Sequence, residues 1–189
     1  MNVNIPFSRS GMVVCVRNTD EIGHSIGSEE QGYDHCLVVV EGFDGRWWVI
    51  ENQRDLVGER KHKGRIVIMP WEFVAQRSAM AVAGHVVPED RMGEFARLMV
   101  EQVGEDYKLL RNNCVTPIND ARHEIVGDWI PKHEDHGGPT VPTDVALLML
   151  SQYRVYWQYD NWDHWEPVPA EQWTEGWTVD KQVVLGGQQ

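Results

Sequence analysis

The sequence predicts an α+β domain in which helices pack on an antiparallel sheet. Short apolar runs typical of strands occupy the first half of the chain, and two amphipathic helical runs follow them. Residues 35–52 also carry the signature of a β-hairpin, which is an antiparallel unit. At 189 residues, the chain most simply forms one domain over residues 1–152, with an aromatic strand and tail over 153–189 packed on it.

The strands are bounded by turn-forming residues. The run from Met12 to Val16 follows Gly11, and the acidic, glycine-containing stretch 20–32 predicts a loop. The hairpin joins residues 35–41 to residues 46–52 through Gly42-Phe43-Asp44-Gly45. Further on, the pattern predicts a strand at 65–69, a short helix at 71–80 and a strand at 81–87.

The hairpin carries a histidine, His35, on the same face as Leu37 and Val39. A four-residue turn is expected to pair His35 with Asn52, and a three-residue turn to pair it with Glu51. Either side chain could accept a hydrogen bond from the imidazole and fix its tautomer. The strand pattern alone does not decide between these two pairings.

Two helices flank a cysteine. Pro88 opens the first, whose apolar stripe continues to Val103 before Gly104 ends it. The second follows Cys114 and ends at Gly127, with Asn112 or Asn113 as its cap. Since unpaired N–H groups at a helix start favour a thiolate, this position suits a nucleophile. The competing interpretation is a small buried side chain, as for most free cysteines.

The composition excludes several kinds of partner. Seventeen basic and 29 acidic side chains give a formal charge of −12, which disfavours binding to nucleic acid or anionic membranes. The first ten residues lack a signal-peptide pattern, so we expect a cytoplasmic protein or one delivered by a virion or secretion apparatus. Cys15, Cys36 and Cys114 lie on separate predicted elements, so we expect no disulfide framework.

Two polar or aromatic segments have alternative interpretations. His133-Glu134-Asp135-His136 could hold a metal ion, but the following Gly137-Gly138-Pro139 favours a solvated loop, and we predict no metal and no cofactor.

Residues 153–159 predict a last strand. The tryptophans of this tail either pack on the domain or contact a glycan or a protein, the candidates being Trp157, Trp162 and Trp165.

The chain resembles the permuted NlpC-type papain-like hydrolases, relatives of the lecithin:retinol acyltransferase group. In that branch a histidine hairpin precedes the cysteine helix, which is the order found here. The matching local contexts are Asp34-His35, Val49-Ile50-Glu51, Gly104 to Tyr107 ahead of Asn113-Cys114, and Val141-Pro142-Thr143-Asp144-Val145. Together they span roughly residues 10–150. The resemblance implies a papain-like, circularly permuted fold.

The resemblance also implies roles for individual residues. Cys114 would be the nucleophile, His35 the acid and base, and Glu51, chosen over Asn52, the residue that orients His35. The Cys114 N–H would form the oxyanion hole with a second donor, for which Asn112, Asn113 and Tyr107 are candidates. Because Pro117 lacks a backbone donor, the helix is expected to begin near Thr116, with Cys114 in the preceding turn.

The implied reaction is cysteine-dependent hydrolysis of an amide or peptide bond, for example in a peptidoglycan stem peptide or an isopeptide. Two alternatives remain: a catalytically silent papain-like domain that binds through its tryptophan-rich tail, and a lipid acyltransferase or thioesterase. The absence of an amphipathic or membrane-spanning anchor in the sequence weighs against the lipid enzyme.

Overall fold

The computed structural model describes residues 7, 9–18, 33–54, 63–72, 74, 78–108, 113–132, 139–153 and 155–160. Within these, seven strands are formed: β1 Met12–Asn18, β2 His35–Glu41, β3 Trp47–Arg54, β4 Lys63–Pro70, β5 Ser78–Gly84, β6 Asp106–Lys108 and β7 Val155–Asp160. The described residues also form the α-helices α1 Met92–Glu101, α2 Thr116–Val126 and α3 Pro142–Gln152.

The strands form one sheet in the order β6-β4-β3-β2-β1-β5-β7, and every neighbouring pair is antiparallel. The predicted α+β class with an antiparallel sheet is therefore confirmed. Strands β1 and β2 lie at the centre, and successive residues from Met12 to Val16 are completely buried. Because successive side chains of a strand point to opposite faces, both faces of the sheet are covered here.

Two boundaries differ from those expected after β4. The predicted helix over 71–80 is wrong over residues 78–80, where β5 begins, although Trp71, Glu72 and Val74 have helical conformation. The predicted strand over 81–87 correspondingly starts and ends early, at Ser78 and Gly84. Strand β5 pairs with β1 from Ser78 to Gly84, with one register shift near its start, and this long-range pairing decides the strand's limits.

Helix α2 ends where the sequence predicts, whereas α1 ends at Glu101, two residues before the predicted end at Val103. Helix α1 follows a 3-10 turn at Glu89–Arg91 and buries Phe95 and Met99, and Gly104 beyond it has a φ of +96°. Helix α2 stops at Gly127, whose φ of +82° is the left-handed conformation that glycine adopts without strain. Arg122 secures α2 to the chain after β5, since its buried guanidinium donates to the Val86 carbonyl at 3.0 Å.

Helix α3 begins at Pro142, where Val141 N–H donates to the Asp144 carboxylate at 2.9 Å and closes the first turn. The predicted strand over 153–159 is confirmed as β7, which pairs with β5 at the edge of the sheet. Of the tryptophan-rich tail, Trp162 and Trp165 lie outside the described residues. In the described part of the chain, no helix combines the length and apolar character required to cross a membrane.

Removing β7 should destabilise the domain. The backbone N–H and C=O groups of β5 that face β7 would lose their hydrogen-bond partners, and β5 would become an edge strand. We expect a chain ending at Tyr153 to melt below a chain ending at Asp160 in thermal unfolding followed by circular dichroism. The chain ending at Asp160 is the matched control, since both lack residues 161–189. Equal melting temperatures would show that β7 adds nothing to stability.

Candidate active site

His35 and Glu51 form the first contact of the site. The His35 Nε2 and Glu51 Oε2 atoms are 2.9 Å apart, and their side chains are 15% and 1% exposed. The carboxylate is thus held away from water while the ring retains a small accessible surface. The expected contact of His35 with Glu51 rather than Asn52 is therefore confirmed.

The hairpin register that produces this contact differs from both expected registers. Leu37 lies opposite Glu51, so extending the ladder puts His35 opposite position 53. A bond from Gly42 N–H to the Arg46 carbonyl closes the turn at 2.7 Å, and Gly45 turns the chain with a φ of +75°. His35 and Glu51 are therefore diagonal neighbours on one face, a separation that long side chains can bridge. Pairing of His35 directly with Asn52 or Glu51 was wrong.

Asn52 points to the opposite face of β3, since successive residues of a strand alternate. Its side chain is 8% exposed, and neither its amide nitrogen nor its amide oxygen has a hydrogen-bond partner among the described residues. Asn52 therefore does not take part in the site as the orienting residue that one expected register required.

Cys114 lies in the turn immediately before α2. Asn113 Oδ1 accepts hydrogen bonds from the Val115 and Thr116 N–H groups at 3.0 and 3.2 Å, and Thr116 Oγ1 accepts from the Asn113 N–H at 3.1 Å. This reciprocal pair has the hydrogen-bond pattern of a capping box and closes the turn that precedes the helix. The helix begins at Thr116 with Pro117 second, which confirms the expected start and the place of Cys114 before it.

Asn113 consequently stabilises the turn that precedes α2, and its expected role as an oxyanion donor stays a prediction. Its oxygen is occupied by the two N–H groups, and its amide nitrogen donates to the Thr140 carbonyl. The Cys114 N–H, by contrast, has no acceptor among the described residues and remains available. Asn112 lies outside the described residues, and of Tyr107 only the backbone position in β6 is described.

The electrostatics link Cys114 to His35. Burial of the ring lowers the pKa of His35, but attraction to the charge of Cys114, a hydrogen bond with its sulfur, and the Glu51 carboxylate together outweigh burial and raise that pKa from 6.5 to about 10. Because Nε2 faces Glu51, Nδ1 is the nitrogen left for the sulfur. His35 is therefore electrostatically coupled to both Cys114 and Glu51.

The other two cysteines lie on separate strands, as expected, but these strands are neighbours in the sheet. Cys15 and Cys36 lie directly opposite each other on β1 and β2, and their sulfurs are 2.8 Å apart. Both are free and buried, whereas Cys114 is partly exposed. Burial raises the pKa of the Cys36 thiol well above its ordinary value, as do the neighbouring Cys15, Cys114 and Asp34.

Within the described ranges, no group of three or more histidine, cysteine, aspartate or glutamate side chains could hold a metal ion. The metal alternative concerned His133, Glu134, Asp135 and His136, which lie outside the described residues. Trp157 lies in β7, where only its backbone pairing with Ala83 is described.

Replacing Asn113 should disturb Cys114 through the turn. We expect Asn113→Ala to lose about 0.5–2 kcal/mol of stability, the usual cost of removing a helix cap. It should also slow alkylation of Cys114 by iodoacetamide, because the thiol is no longer held at the helix start. Asn113→Ser retains a capping oxygen and is the matched control, expected to melt and react close to the original protein. Identical behaviour of Asn113→Ala and the original protein in both measurements would contradict this role.

Comparisons of the chain with protein-family models, with curated proteins and with solved structures found no match.

Proposed function

We propose that this protein is a cysteine hydrolase that cleaves an amide or peptide bond through Cys114, His35 and Glu51. The observation that carries the proposal is the position of the His35 ring, which bonds Glu51 at 2.9 Å and has its pKa raised to about 10 with Cys114 as the principal raising cause. A buried acid, a histidine and a cysteine at a helix start together meet the requirements of an activated thiol nucleophile.

In the proposed reaction, the Cys114 thiolate attacks the substrate carbonyl carbon, and the Cys114 N–H donates to the oxygen that becomes negatively charged. The His35 imidazolium then gives its proton to the departing amine, leaving a thioester on Cys114. His35, now neutral, takes a proton from water as the water attacks the thioester. The acid is released and the thiolate and imidazolium are restored.

Glu51 acts on the histidine rather than on the substrate. Its carboxylate is only 1% exposed and accepts a hydrogen bond from Nε2, which fixes the ring orientation and stabilises the imidazolium. The start of α2 favours the thiolate form of Cys114, because the positive end of the helix dipole lies next to the turn that holds this residue.

We further propose that the fold is papain-like and circularly permuted, with the histidine hairpin ahead of the cysteine helix. Support comes from the chain order, in which His35 on β2 and Glu51 on β3 precede Cys114 at the start of α2. Support also comes from the antiparallel sheet, in which both hairpin strands are interior strands.

The proposal is tested by trapping the acyl-enzyme. Incubation with p-nitrophenyl acetate, followed by acid quench and peptide mass spectrometry, should place one acetyl group on Cys114. Glu51→Gln should slow acylation roughly 10²-fold, the lower end of what acid–base assistance contributes. Asn52→Val is the matched control, because it changes the next residue on the opposite face and should leave acylation unchanged.

Matched amide and ester substrates then define the bond that is cleaved. Turnover of peptide or isopeptide amides, lost in Cys114→Ala, is the expected result. Turnover of esters alone would instead favour the lipid acyltransferase or thioesterase. Absence of any Cys114 adduct with an activated ester would overturn the enzyme and favour a catalytically silent binding domain.

A further inference from the structure

Cys15 and Cys36 form a pair of thiols separate from the proposed catalytic site. They are cross-strand partners in the β1–β2 ladder, with exposures of 0% and 1%. Cys36 follows His35 along β2, so its side chain points to the opposite face of the sheet. None of the steps proposed for Cys114 uses either thiol.

The separation of the two sulfurs is short enough to matter chemically. They lie 2.8 Å apart, and a disulfide bond brings two sulfurs to about 2.05 Å. Directly opposed residues of an antiparallel pair have Cβ atoms about 4.5–5.5 Å apart, close to the range of about 3.5–4.5 Å found in disulfides. Since both side chains already turn towards each other, only a small approach of β1 and β2 separates the dithiol from a disulfide.

We propose that Cys15 and Cys36 are a redox-modification site, at which a peroxide converts the dithiol into a cross-strand disulfide. One thiolate attacks a peroxide oxygen, which breaks the O–O bond and gives a sulfenic acid. The second sulfur attacks that sulfenic sulfur and displaces its oxygen as water. In sum, two thiols and one hydrogen peroxide give one disulfide and two waters.

The surroundings set the rate and the consequence of this oxidation. Both sulfurs are buried, so peroxide reaches them only when the sheet opens locally, and the pair reacts more slowly than a partly exposed thiol. The cross-link would join β1 to the residue next to His35. It would also lie close to the start of α3, because the Cys36 sulfur is 3.9 Å from the Pro142 carbonyl oxygen.

The test uses the full chain carrying Cys114→Ser, so that the exposed thiol cannot react. After treatment with hydrogen peroxide and unfolding in an alkylating agent, a non-reducing peptide map should contain the Cys15 and Cys36 peptides joined together. Reduction with dithiothreitol should separate them. Because the cross-link closes a separation of 21 residues, oxidation should raise the Tm by up to roughly 10 °C.

Cys15→Ala in the same background is the control and should form no joined peptide within one chain. The original chain, mapped in the same way, gives a second measurement that does not depend on how the variants fold. Recovery of both cysteines as alkylated thiols, or as separately oxidised sulfinic acids, would overturn the proposal. These outcomes are independent of whether Cys114 is a catalytic nucleophile.

Discussion

Iodoacetamide supplied in limiting amount near neutral pH should alkylate Cys114 before Cys15 or Cys36. Cys114 is partly exposed and lies beside His35, whereas the other two sulfurs are enclosed in the sheet. Since the thiolate is the attacking species, the thiol with a proton acceptor and access to solvent reacts first. Peptide mass spectrometry of the labelled protein measures the order directly.

Replacing His35 should slow this alkylation roughly 10-fold or more, because a thiol without an adjacent base is only a few per cent thiolate at pH 7. His35→Gln is used beside His35→Ala, since an amide can still donate to the buried Glu51 carboxylate and so preserve the fold. His123→Gln, a substitution on α2 at a ring stacked on Trp129, is the control and should leave the rate unchanged. Equal labelling of all three cysteines, or no response to either His35 variant, would favour the silent domain.

The second large effect is expected in the titration of His35. Its pKa of about 10 should appear in the pH dependence of its ring signals in NMR spectra, so the ring remains an imidazolium well above neutral pH. Cys114→Ser removes the sulfur whose charge and hydrogen bond are the largest causes that raise this pKa, so His35 should titrate at lower pH in that variant. An unchanged titration in Cys114→Ser would show that the two side chains are not coupled.

The sign of the effect on stability follows from the raised pKa. A histidine with a folded pKa above its ordinary value of 6.5 contributes its full stabilisation below that pH and loses it as the pH rises through about 10. Hydrolysis should fall over the same alkaline range, because the imidazolium that protonates the departing amine is lost. An activity that continued to rise above pH 10 would exclude this role for His35.

Local chemistry determined the limits of several elements, and these were predictable from sequence. Gly127 ends α2 because it adopts a positive φ, and Gly104, also at positive φ, ends the turn that follows α1. Pro142 begins α3 because the first turn needs no N–H from it. The site residues were also predictable as candidates. Asp34-His35 at a strand start and Cys114 ahead of an amphipathic run are patterns within short stretches of chain.

Only the tertiary structure decided how these residues meet. Alternation along β2 and β3 assigns each side chain to a face, but the turn closed by Gly42 and Arg46 sets which residues lie opposite one another. Glu51 therefore reaches His35 diagonally, an arrangement that periodicity does not encode. The orientation of Asn113 likewise depends on a distant residue, because its side-chain amide donates to the carbonyl of Thr140, 27 residues away.

The contact between Cys15 and Cys36 has the same origin. Each cysteine alone is a small residue inside an apolar strand, and nothing in its immediate sequence indicates the other. The β1–β2 register brings them together across 21 residues of chain. The sequence determined which segments become strands and helices through local propensity and capping, whereas pairing between distant strands determined the geometry of both thiol sites, because register depends on turn closure and on packing across the whole sheet.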